Sequence, residues 1–183
     1  MVVAKLPALA PCADVAALTA EVAPPDDPAV AAEVEGLREQ LVRAPLTETW
    51  KYFSNPHNLK NITPPELGFT VTTENLPDEI YPGLFIEYRV SPLFKIPLTW
   101  VTEITHVDQQ VMFADQQLIG PYRIWSHKHF FRKEGKFTHM TDQVDYALPP
   151  VPFSGIVNQL IVKRKLEEIF AFRKLAVEKI WAN

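Results

Sequence analysis

Apolar residues recur at every second position between Phe69 and Tyr146, and at helical spacing on either side of that stretch. Leu37, Glu39 and Leu41 alternate within a first strand over 34–43. Pro45 predicts a helix start, because its missing N–H costs nothing in a first turn, and Leu46, Trp50 and Phe53 fall on one stripe behind it. Ser54-Asn55-Pro56 breaks that helix and is placed to cap a second short one over about 56–62, which Thr63-Pro64-Pro65 ends. Strand-like runs follow at 69–73, 83–90, 98–107 and 111–118. Leu84, Ile86, Tyr88 and Val90 share one face of the second run, and Leu98, Trp100, Thr102 and Ile104 one face of the third.

The longest alternating stretch, from Gly120 to Tyr146, reads as a β-hairpin turning at Glu134-Gly135. A two-residue loop there sets Phe131 opposite Thr138, His129 opposite Met140, His127 opposite Asp142 and Trp125 opposite Val144. One face then carries Trp125, His127, His129, Met140, Asp142, Val144 and Tyr146. The other carries Ser126, Lys128, His139, Thr141, Gln143 and Asp145, which is the chemistry of a wet surface. After Pro149-Pro150-Val151-Pro152 the period returns to helical, with Ser154 as a possible cap and an amphipathic helix over about 155–181. Its apolar side includes Leu160, Val162, Leu166, Ile169, Phe170 and Ala176. The predicted order is strand, two short helices, six strands in an antiparallel meander, and one long helix. This is an α+β arrangement in which a curved sheet has one inner face and leaves a space beneath the helix.

Composition narrows the setting. The 183 residues are 47% hydrophobic and 22% charged, which suits one globular domain. Net charge is −4, and the first 33 residues hold one Lys against five acids, so the remainder is nearly neutral and shows no basic footprint for nucleic acid. Residues 1–33 read as a flexible Ala/Pro-rich extension, with a short helix possible near 13–20, and 34–183 as the folded domain. The single cysteine, Cys12, allows no internal disulfide, and the expected setting is the cytoplasm. No apolar run approaches the ~20 residues of a membrane span.

Several segments together resemble the START/Bet v 1-like superfamily (SRPBCC, the polyketide cyclase/dehydrase and lipid-transport group), and within it ligand-binding SRPBCC proteins. They are Asn58-Leu59 through Ile62-Thr63-Pro64, Phe113 to Asp115, Gly120-Pro121-Tyr122 through Trp125, His127 with His129, Asp142 with Tyr146, and Ile169-Phe170 through Arg173. The resemblance covers Leu37 to Trp181. It implies the helix-grip fold, a seven-stranded antiparallel sheet around the C-terminal helix. Members of the superfamily hold lipids, sterols, plant hormones, polyketides or quinones in the enclosed cavity, and some catalyse reactions there. Fold alone leaves that choice open.

The chemistry that such a cavity would expose centres on His127 and Asp142. Opposed across the hairpin, with Cβ atoms ~5 Å apart, they form a structural pair, a polar anchor for a ligand, or a general acid/base couple. His129 projects on the same side, about 7 Å along the strand. With His127 and Asp142 it offers a weak metal signature, but no metal and no cofactor is expected. With Asp108-Gln109 as a turn, Thr102 faces Asp115 and turns that carboxylate inward. Tyr88, Trp100, Tyr122, Trp125, Tyr146 and Phe170 supply aromatic walls, and Arg173 suits a ligand carboxylate or an internal acid. The leading expectation is a carrier of a hydrophobic small molecule. A cyclase/dehydratase-type enzyme using His127 and Asp142 is the alternative. A third reading is an interaction module whose pocket has collapsed onto its own aromatics, and a hollow below ~300 Å³ favours that one.

Overall fold

A computed structural model describes residues 33–91, 96–149 and 161–182 of the chain. The strands are β1 (Glu33–Val42), β2 (Thr70–Val71), β3 (Phe85–Val90), β4 (Leu98–Asp108), β5 (Met112–Ile119), β6 (Ile124–Glu134) and β7 (Phe137–Ala147). The helices are α1 (Leu46–Phe53) and α2 (Lys163–Ile180), with two 3₁₀ helices, Pro56–Ile62 and Pro65–Leu67, after α1. The strands form one curved antiparallel sheet in the order β1-β7-β6-β5-β4-β3-β2. This is the expected α+β helix-grip architecture. The expected extension over 1–33, with its short helix, lies outside the described residues except for Glu33, as do Ser154 and the first turns of the long helix.

Local chemistry explains the element boundaries. Pro45 sits just before α1, and its carbonyl accepts from the N–H groups of Glu48 and Thr49 at 3.1 and 3.0 Å. The Asn55 side chain accepts from His57 N–H at 2.9 Å and starts the next turn, which is 3₁₀ rather than α. Gly68, in the left-handed region at φ 56°, closes the Pro65–Leu67 turn that the sequence pattern does not announce.

The hairpin register differs from expectation by two residues. β6 and β7 pair His129 with Asp142, His127 with Val144 and Trp125 with Tyr146. The loop is Gly135-Lys136, with Gly135 at φ 61°. Glycine takes that left-handed position without penalty, whereas a Glu134-Gly135 loop would place glutamate there. A two-residue displacement preserves the side of every residue, so the predicted faces stand although the partners change.

The β4–β5 connection also departs from the expected turn. It is a three-residue loop, 109–111, with Gln110 at φ 63°. The odd loop would turn Asp115 outward. Thr105, an extra residue between the Ile104–Asp115 and His106–Ala114 pairs, restores the alternation. Asp115 therefore faces inward opposite Ile104 rather than Thr102.

The core lies between the inner sheet face and the helices. Trp50 of α1 meets Phe131 and Phe113 edge-on, at 5.4 and 6.0 Å between ring centres. Val177 of α2 is buried in the same cluster, while Leu166 and Phe170 pack with Val144 and Tyr146. Leu37 and Leu41 point outward and are exposed, and Val42 is the buried member of β1. The outer face is drier than predicted, because β7 is flanked on both sides by strands. Thr141 and Gln143 are buried there, and the Gln143 amide donates to both Asp145 carboxylate oxygens at 3.1 Å.

One buried hydroxyl relay joins α1 to the sheet. Thr49 Oγ1 donates to Thr138 Oγ1 at 3.1 Å, and Thr138 Oγ1 donates to the Ala44 carbonyl at 2.9 Å. Replacing Thr138 by valine strands both partners. Urea unfolding of Thr138→Val is expected to show a loss of about 1–3 kcal/mol with an unchanged m value.

Candidate functional site

β5, β6 and β7 bring four ionisable side chains to one spot on the inner face. β6 contributes His127 and His129, two residues apart and therefore on the same side. Their rings lie 3.9 Å apart between centres. β5 places Asp115 directly opposite His127, and β7 places Asp142 directly opposite His129. The two histidines are thus flanked by a carboxylate on each neighbouring strand. Arg173 reaches the cluster from α2, with Nη1 3.8 Å from Asp142 Oδ1. Phe113 stacks on His129 at 4.3 Å and Phe170 meets His127 edge-on at 5.8 Å, so the rings are held between hydrocarbon surfaces.

The two carboxylates play different parts. Asp142 Oδ1 touches His129 Nδ1 directly and lies 3.3 Å from His127 Nε2. Asp115 Oδ2 stands back, 3.9 Å from His127 Nδ1 and 3.8 Å from His129 Nε2, beyond hydrogen-bond reach. Each imidazole therefore turns one nitrogen to Asp142 and the other toward Asp115. Several buried atoms of the cluster make no hydrogen bond: His127 Nε2, His129 Nδ1, Asp142 Oδ1, and Nε and Nη1 of Arg173. The contacts to Asp142 are electrostatic but bent out of hydrogen-bond geometry.

Burial sets the protonation. Desolvation, followed by the neighbouring His129, lowers the His127 pKa to about 4 against the pull of Asp142 and Asp115. Desolvation also lowers His129, with Arg173 assisting and Asp142 opposing. For Asp142, burial favours the neutral acid, but His129, the contacts from both imidazoles and Arg173 outweigh it, and the carboxyl stays below the usual range. Asp115 lacks such contacts. Desolvation, with Asp142 adding to it, pushes it up to about 6.

Asp115, His127 and His129 form the floor of a cavity of about 200 Å³ between the sheet, α2 and the Pro56–Ile62 turn. Tyr88, Trp100, Asp115, Tyr122, Trp125, His127, His129, Phe170 and Arg173 line it. Asp142 and Tyr146 do not. Asp142 lies behind the imidazoles, and Tyr146 is sealed among Val144, Val162 and Leu166. The expected His127–Asp142 couple therefore needs correction. Asp142 makes its closest contact with His129, and the carboxyl group inside the cavity belongs to Asp115. Tyr88 is a wall rather than a free anchor, since its hydroxyl is 2.9 Å from Thr102 Oγ1, which also accepts from Trp100 Nε1 at 3.1 Å. Sequence reasoning missed the lining residues Lys165, Leu166 and Ile169 of α2 and Leu59 and Ile62 of the 3₁₀ turn. The helical spacing of Leu166, Ile169 and Phe170 was the available signal.

An antiparallel sheet closed over a C-terminal helix, with a lined hollow between them, is the helix-grip fold. Solved structures share it. Ms6760 from Mycobacterium smegmatis is 20% identical with a TM-score of 0.55, over 81% of this chain and 96% of that one. TTHA0849 from Thermus thermophilus is 16% identical with a TM-score of 0.56, over 79% and 97%. Ara h 8.0201 is 14% identical with a TM-score of 0.52, over 79% and 97%. No protein-family model matches the chain, and no curated protein does. Among the described residues, no helix is long and apolar enough to cross a membrane.

The opposed shifts of Asp115 and His127 make a pH prediction. The folded chain holds a proton on Asp115 that the unfolded chain releases, so this group's contribution to stability falls as pH rises from about 4 to about 6. His127 acts in reverse: its contribution rises from about 4 to about 6.5. Asp115→Asn removes the falling part and, by taking away a charge that favours the His127 imidazolium, leaves the rising part in place. With EDTA present, denaturant titrations from pH 4 to 7 are expected to show the variant gaining stability more steeply than the parent. At pH 7 it should exceed the parent by roughly 1–3 kcal/mol.

Proposed function

We propose that the protein binds a small, largely apolar molecule bearing an acidic oxygen in the cavity between sheet and α2. One observation carries this reading: Arg173 lines an aromatic hollow with its buried Nε and Nη1 making no hydrogen bond. A buried cation with unused donors is costly, and an anionic oxygen entering the hollow would satisfy them. The aromatic walls, Trp100 and Trp125 among them, supply area, at about 25 cal/mol per Å² buried. The volume limits the class. About 200 Å³ falls under the ~300 Å³ at the lower end of drug-sized sites. That supports the collapsed-pocket reading as far as bulky lipids are concerned. It leaves room for a compact aromatic or short isoprenoid acid.

A second reading, acid–base catalysis, is favoured by the carboxyl of Asp115, which is held at about 6 at the cavity wall beside His127. A group poised near neutrality in a cleft is suited to exchanging a proton with a bound molecule. Its carrier would be Asp115, since Asp142 faces away from the hollow.

The test is calorimetric titration, in EDTA, with 1-naphthoic acid and its methyl ester as probes. The acid is expected to bind more tightly than the ester, and Arg173→Met to weaken the acid by roughly 10–100-fold while leaving the ester little changed. Equal binding of acid and ester, or indifference of the acid to Arg173→Met, rejects the proposed role of the guanidinium.

A further inference from the structure

The side of the two imidazoles that faces away from Asp142 has chemistry that an organic acid does not explain. His127, His129 and Asp115 each offer a ligand atom there, and the three atoms lie within 4.8 Å of one another. Asp115 bonds neither ring, because its carboxylate stands 3.9 Å from His127 Nδ1 and 3.8 Å from His129 Nε2. Those distances are too long for hydrogen bonds and slightly long for atoms sharing one ion. An ion with bonds of ~2.1 Å in tetrahedral array spaces its ligand atoms ~3.4 Å apart. Small rotations of the Asp115 side chain and the two rings close that difference. Both imidazole side chains are more than nine-tenths buried, and the ring nitrogens that make no hydrogen bond, His127 Nε2 and His129 Nδ1, are the ones turned to Asp142.

The second carboxylate completes the pattern. A metal-bound imidazole commonly turns its other nitrogen to a carboxylate, which fixes the tautomer and the ring direction. Asp142 is placed to do this for both rings at once, through His127 Nε2 at 3.3 Å and through direct contact with His129 Nδ1. A proton held on each of those nitrogens leaves the lone pairs of His127 Nδ1 and His129 Nε2 directed at the Asp115 side. Asp142 itself is too close to the rings to share an ion with them, which reverses the ligand set the sequence points to. Charge is consistent with the same arrangement. Within the cluster of close contacts, with neutral imidazoles and both carboxyls ionised, Asp115 and Asp142 outweigh Arg173 by one negative charge. A divalent ion then leaves one positive charge to attract an anionic oxygen from the cavity.

We propose that Asp115, His127 and His129 bind one divalent transition-metal ion of the zinc or ferrous class, with Asp142 holding both imidazoles from behind and the remaining coordination positions open to the cavity. Two histidines and one carboxylate with open positions are a donor set for either ion. Metal binding at this place needs no organic ligand. Its failure would leave the Arg173 test, performed in EDTA, untouched, and failure of that test would leave metal binding untouched.

The experiment uses the full chain, freed of metal by EDTA and dialysed. Calorimetric titration with Zn²⁺ is expected to saturate at one ion per chain and to raise Tm. Titration with Co²⁺ is expected to give the visible absorption of a four- or five-coordinate centre. Asp115→Asn keeps the size of the side chain, and it should weaken Zn²⁺ by about 100-fold and abolish the Tm gain. In the parent protein, the ring resonances of His127 and His129 should shift with Zn²⁺ in slow exchange while those of His57 stay in place. That measurement stands even if a variant fails to fold. No saturable binding, or Zn²⁺ binding that Asp115→Asn leaves unchanged, or ring shifts confined to exposed histidines such as His57 beside Asp78, overturns the proposal.

Discussion

A carboxylate buried in an aromatic interior stays ionised only where positive or proton-donating groups surround it, and the inner face of this protein is organised around Asp142 on that condition. His127 and His129 approach it from one neighbouring strand and Arg173 from the helix. Arg38, opposite Asp142 on the other neighbouring strand, lays its guanidinium over the Phe170 ring at 4.3 Å. Three parts of the fold thus converge around one residue of β7. Position follows from this. With their Asp142-facing nitrogens fixed, the imidazoles have no freedom to choose where the other nitrogens point. They open on the cavity and on Asp115.

Asp115 is the opposite case, a carboxylate with attraction at a distance and no contact. Its raised pKa has burial as its first cause, and its neighbours do not remove the penalty. It faces inward only because Thr105 bulges out of the β4–β5 ladder. Without that extra residue, the three-residue loop at 109–111 would put Asp115 on the outer face. A bulge next to a functional centre commonly re-aims a side chain in this way.

The inner face was legible in the sequence because alternation survives any register error of two residues. Trp125, His127, His129 and Asp142 fell on one side under the expected turn and under the observed one. Partner identity was not legible in the same way. It depends on where the glycine of a two-residue loop sits, and moving Gly135 from the second loop position to the first transfers Asp142 from His127 to His129. Asp115 came out inward in the sequence reading through a two-residue turn, whereas the protein reaches that result by a longer loop and a bulge that no pattern of apolar residues announces. Arg173 was ambiguous because a lone arginine among Lys174 and Glu178 looks like part of a solvated helix face. Only its distance to Asp142 distinguishes it. Arg38, the strand neighbour of Asp142, lay in a strand whose readable alternation, Leu37, Glu39 and Leu41, belongs to the outer face.

Stability alone does not account for such a floor. Buried ion clusters rarely outperform hydrocarbon of the same volume, because desolvation of each charge consumes what the attraction returns. Leucine or phenylalanine at positions 115, 127, 129, 142 and 173 would extend the packing already present at Val144, Leu166 and Phe170 and leave no unpaired donors. Such a core would also fill the hollow. The cluster instead leaves hydrogen-bonding capacity unmet, at Nε and Nη1 of Arg173 and at the ring nitrogens turned to Asp142, and keeps the hollow beside Asp115 open. The Asp115 carboxyl and the guanidinium of Arg173 both reach the cavity wall, the guanidinium with donors to spare, as expected of a surface shaped for something that arrives after folding.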